Sequence, residues 1–127
     1  MNQKLTLTIA AVMGALAVGL GAFGAHALKN MLLQNGRTET YELAVRYHFY
    51  HALALLITGL LMDKYMGSPF QWASLFFFLG ILLFSGSLYL YALTNKTPFA
   101  MITPLGGVCF LIAWVSLVVG FLKSPGQ

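Results

Sequence analysis

Charge is what this sequence has least of. Seven Lys or Arg and three Asp or Glu are spread over 127 residues, 8% of the chain, where about 25% is ordinary for a soluble domain. A chain so poor in charge is not a soluble globular enzyme, and it is not a disordered segment. The net charge of +4 and pI of 9.4 look basic, but scattered cations do not form a phosphate-binding patch, so nucleic acid is excluded as a partner. Cysteine is nearly absent too. The single Cys109 allows no intrachain disulfide and no CxxC redox motif, and its apolar neighbourhood marks it as a small packing residue.

Apolar residues take the place of charge, at 59% with a mean hydropathy of +0.80. They fall into four blocks of the length a bilayer needs, about 20 residues each. The expected spans are about Leu5–Leu28, Leu43–Met62, Phe70–Leu93 and Phe99–Leu122. Ala25-His26-Ala27 resembles a signal-peptidase site, but the run before it is too long for a signal h-region and rich in Gly and Ala, so it reads as a retained first span. The second span is apolar only from Ala52, so Arg46, Tyr47, His48, Tyr50 and His51 must enter the membrane or its interface. The expected fold is therefore all-α, a single transmembrane domain over residues 1–127. It is an integral membrane four-helix bundle with an interfacial amphipathic segment, Lys29–Glu42, between helices 1 and 2.

Finer expectations follow from residue type. Small residues cover most of helix 1, which places it at the buried centre of the bundle. Phe76-Phe77-Phe78 in helix 3 suits a lipid-facing wall. Glu42 and Arg46 stand four apart and should pair. Thr103-Pro104-Leu105-Gly106-Gly107 should kink helix 4, or else mark the start of the true span after a short re-entrant piece.

Four crossings put both termini on one side, and all three histidines then belong to the opposite leaflet, together with Arg46, Glu42 and most tyrosines. The tyrosines read as an interfacial belt. Ionisable groups at membrane depth are expensive and usually paired, so His26, Glu42, Arg46, His48 and His51 are the candidate ligand-binding residues, near the contact of helices 1 and 2. No catalytic nucleophile–base pair and no complete metal-ligand set can be named, and no cofactor is identified. His48 and His51, three apart, would form a metal or haem pair only with further help, from His26 or Glu42. Lys and Arg divide almost evenly between the two sides, so the positive-inside rule does not orient the chain.

Four strings then carry a resemblance over nearly the whole chain: Gly21-Ala22-Phe23-Gly24-Ala25-His26-Ala27-Leu28, Tyr41 to Ala54, Ser85-Gly86-Ser87-Leu88-Tyr89, and Ile102-Thr103-Pro104-Leu105-Gly106-Gly107. Together they resemble the YgdD/YwdK family of small bacterial inner-membrane proteins, a domain of unknown function with a eukaryotic membrane-protein relative. The resemblance implies a multi-pass inner-membrane protein with four helices. It implies no activity, ligand or catalytic residue.

The expected function is that of a non-enzymatic membrane protein: an accessory, scaffold or lipid-interacting protein. The alternative is a ligand-binding membrane protein that holds a metal, haem, quinone or anionic lipid headgroup with the His/Arg/Tyr cluster. A further alternative is a small oligomeric transporter or channel, although no acid sits centrally in a span to couple it to ions. The expected partners are the lipid bilayer and either further copies of the chain or another membrane protein.

Overall fold

The computed structural model describes residues 1–125, and among them every regular element is helical. Helix α1 spans Gln3–Ala25. Its N-cap Asn2 accepts from the Leu5 amide at 2.9 Å, and the Thr6 and Thr8 hydroxyls bond back to the Asn2 and Lys4 carbonyls, so the polar start of an apolar helix leaves no hydroxyl unsatisfied. Helix α2, Lys29–Asn35, is short and stops at Gly36, whose φ of 63° only glycine takes without strain. Helix α3 is the longest, Thr38–Lys64.

The next span is interrupted. Helix α4 (Ser68–Gly80) begins with Pro69 in its first turn, passes through a π-helical turn at Ile81–Ser85, and continues as α5 (Gly86–Thr94). Helix α6 (Thr97–Ala100) is a single turn. The chain then breaks at Met101–Ile102 and resumes as α7 (Thr103–Lys123) with Pro104 in its first turn. The backbone of Met101 and Ile102 stays right-handed, and their amides bond three residues back, to Pro98 and Phe99. The proline thus opens α7, after a tightened turn, where its missing N–H costs no helical hydrogen bond.

Helices α1, α4–α5 and α6–α7 are long and apolar enough to cross a membrane by length and composition. The polar first half of α3 keeps it out of that group, but α3 runs antiparallel along α1: Gly59 meets Leu7, Val45 meets Gly21 and Tyr41 meets Gly24. It therefore traverses the same depth. Large apolar side chains such as Val18, Leu60, Leu111 and Val115 stand exposed along the long helices, a surface suited to lipid and not to water.

Two expectations about packing are overturned. The centre of the bundle is α3, not α1. Helix α1 lies outside and packs chiefly on α3, with only Thr6, Ala10 and Ala17 buried. Small residues allow close approach but bury little area themselves, so the core gathers where rings are available. That core holds Leu55, Phe70, Ala73, Phe77, Phe110 and Leu117. The Phe76-Phe77-Phe78 run is accordingly no lipid wall: Phe77 is fully buried, with Phe76 and Phe78 packed against the same core.

Glycines set the closeness of α7. A Cβ on Gly106 would lie 2.2 Å from the Phe84 backbone nitrogen, and one on Gly80 would lie 2.3 Å from the Phe110 ring. The Ser87 and Thr103 hydroxyls meet at 2.7 Å beside the Gly106 crossing. The Thr103–Gly107 string is thereby explained as a crossing point between α7 and the π turn.

Candidate functional site

Helix α2 is fastened to the end of α5. The Asn35 side-chain amide donates to the Ala92 and Leu93 carbonyls at 3.0 and 3.3 Å, two of the groups that a helix C-terminus leaves without partners. Arg37 donates from Nε to Asn95 Oδ1 at 2.8 Å and lies 4.4 Å above the Tyr91 ring. A small buried cluster of Leu32, Tyr41 and Ala92 seals the underside.

The end of α1, helix α2 and the first turns of α3 enclose a cavity of about 270 Å³. One wall is backbone-like: Gly21, Gly24 and Ala25 of α1. Gly24 is required there, since a Cβ would fall 2.2 Å from the Tyr41 ring. The ring lies flat in that gap and its hydroxyl donates to the Leu20 carbonyl. Glu42 and Arg46 of α3 form the polar wall, with Thr38 below them. Both charged residues are exposed. They do not pair with each other: among the described residues no salt bridge within 4.0 Å forms. The expected i,i+4 pair is thus corrected, because an exposed pair gains too little to hold two long side chains in one geometry.

The other three candidates are placed differently. His26 caps α1 and is exposed. His48 faces α5 and α1, with Nδ1 2.9 Å from the Tyr89 hydroxyl. Its Nε2 is buried without a hydrogen-bond partner, with the Met13 carbonyl of α1 nearby. Met13 lies near the middle of α1, so His26 is about 20 Å from His48 along the helix axis.

His51 turns the opposite way, into the α4–α7 core. Its ring stacks on Phe110, centroids 3.5 Å apart and nearly parallel. Nδ1 lies 2.8 Å from the Tyr47 carbonyl, which can only accept, so Nδ1 carries the proton. Nε2 is then the acceptor for the Trp114 indole N–H at 3.3 Å. His51 is neutral and fully partnered.

The five residues therefore do not converge. Glu42 and Arg46 share the cavity, His26 sits at the same end of the bundle, and the two buried histidines diverge at mid-depth. Among the described residues no three of His, Cys, Asp and Glu come together as a metal-ligand set. Three spacings in one helix do put His48 and His51 on neighbouring faces, but α3 is central, so neighbouring faces meet different helices. Sequence reasoning missed the cavity's glycine wall and the partners Tyr89, Phe110 and Trp114. The Gly21-x-x-Gly24 spacing was the available signal for the wall; nothing in the order of residues pointed to the partners.

Comparison with known proteins agrees with the architecture. Residues 20–107 match a family described as protein of unknown function (DUF423). The chain is 42% identical over 122 residues to the UPF0382 membrane protein YwdK of Bacillus subtilis, covering 95% of this chain and 98% of that one. It is 42% identical over 124 residues to a UPF0382 membrane protein of Staphylococcus epidermidis, covering 98% and 100%. It is 38% identical over 125 residues to the UPF0382 inner membrane protein YgdD of Escherichia coli K12, covering 97% and 93%. No solved structure matches.

Proposed function

The chain belongs to the DUF423 family of multi-pass inner-membrane proteins, and from that premise and the cavity we propose that it is a non-enzymatic, lipid-interacting membrane protein. The observation that carries this reading is one cavity in which two unpaired charges face a wall of glycine and alanine. A polar head can be met by Glu42 and Arg46 while an apolar tail leaves along the smooth side of α1, where no side chain stands in its way. The site lies where the polar start of α3 joins the apolar body of the bundle, the depth at which an amphiphile changes character. Both histidines at mid-depth are engaged in packing, which leaves the charged pair as the group free to recognise a ligand.

The test is native mass spectrometry of the protein released gently from its own membranes. A retained lipid mass is expected, and Ala25→Leu, which fills the cavity from an exposed position, should remove it. A protein that flies bare, or an oligomer without lipid, overturns the reading.

A further inference from the structure

The order of charges along α3 says more than their presence. Running from the end of the bundle inward, the chain meets Glu42 first and Arg46 one turn deeper. The two Cα positions differ by about 6 Å along the axis. Both line the same cavity, neither is engaged in a hydrogen bond or a salt bridge, and the cation that might have competed for Glu42 from the neighbouring loop, Arg37, is held by Asn95 and Tyr91.

The geometry points to a phosphoethanolamine headgroup as the occupant. A lipid of this class presents its charges in the matching order: the phosphate lies nearer the acyl chains and the primary ammonium lies outermost, one short two-carbon link away. Arg46 meets the phosphate as a planar fork of donors. Glu42, one turn nearer water, accepts from the ammonium. A trimethylammonium head carries the same charge but has no N–H to donate, so Glu42 gains only a weak contact from it. A glycerol head has no cation at all and leaves its phosphate charge facing a cavity that already contains a carboxylate. The small cavity suits the headgroup alone, with the chains lying outside on the apolar surface of α1 and α3. The inference rests on the lipid-binding reading above and adds the identity of the head.

The experiment uses the full chain, stripped of lipid in detergent, and titrates dioctanoyl phosphatidylethanolamine, phosphatidylcholine and phosphatidylglycerol, with soluble glycerophosphoethanolamine as the chain-free source of the same head. Binding is read by native mass spectrometry. Phosphatidylethanolamine should bind about tenfold tighter than either other lipid, the range one charge-assisted hydrogen bond supplies. The soluble head should bind more weakly than the lipid. Glu42→Gln should erase the preference while retaining phosphatidylglycerol binding, and Arg46→Gln should weaken all three lipids. Both side chains are exposed, so neither variant threatens the fold, and unchanged helicity by circular dichroism verifies this. Equal binding of the three lipids, or tightest binding of phosphatidylglycerol, overturns the headgroup assignment and leaves the lipid-binding reading standing. Binding of none of them overturns both.

Discussion

Helices α1 and α7 both approach their neighbours through glycine, yet only one of them is locked. On the α7 side, Gly106 meets the Phe84 backbone, Gly80 receives the Phe110 ring and Gly120 receives the Phe70 ring. Each gap is filled, and His51 sits among the rings with both nitrogens satisfied. On the α1 side, Gly59 receives Leu7 and Gly24 receives Tyr41, but Gly14 and Gly19 face nothing within 4 Å. There His48 keeps a buried nitrogen without a partner. Glycine therefore has two roles in one small protein. Where a ring fills the gap it clamps two helices, and where nothing fills it the helix is merely smooth. The α1 side is the looser one, and the candidate cavity lies at its end.

The largest expected effect attacks the tight side. Gly106→Ala forces a Cβ into the Phe84 backbone, which cannot rotate away as a side chain could. It should destabilise the fold by about 3 kcal/mol. Gly107→Ala, whose Cβ would stand 3.9 Å from the Phe84 side chain, should cost almost nothing. Thermal unfolding in detergent separates the two, and equal melting temperatures would break the distinction between filled and open glycines.

Next in size is the contrast of histidines. His51→Phe keeps a ring against Phe110 but strands the Trp114 indole N–H, and should cost about 1–2 kcal/mol. It should also shift the Trp114 fluorescence in a Trp72→Phe background. His48→Phe removes a nitrogen that already lacks a partner, so its cost should stay under about 1 kcal/mol. If His48→Phe proves the more damaging, the buried nitrogen has a partner that the packing alone does not supply.

The smallest effect concerns the open face of α1. Gly14→Ala meets no neighbour and restricts the unfolded chain, so it should stabilise by up to about 1 kcal/mol. A loss of stability there, measured in the same unfolding assay, would mean that another helix covers this face in the membrane.

Much of this was legible before any coordinates. Low charge and four long apolar blocks are enough for a helical membrane protein, because a bilayer satisfies no backbone group and demands a minimum length. The need for the start of α3 to carry its histidines inward was equally plain, since its apolar part is too short to span alone. The placement of α1 was not legible. Its small residues signal close approach, but closeness and centrality differ, and only the positions of Phe70, Phe77 and Phe110 decide which helix is enclosed. The pairing of Glu42 with Arg46 failed for a related reason: spacing permits a contact that an exposed surface does not reward.

Local periodicity and composition by themselves determined that the chain is all-helical, where its spans lie and at which end its charge gathers, because these depend on each segment's own transfer from water to lipid. Tertiary structure alone decided which glycines are filled, that His48 and His51 serve different helices, and that Glu42 and Arg46 share a cavity walled by α1. Those depend on side chains far apart in sequence arriving at one place, and no local pattern encodes that meeting.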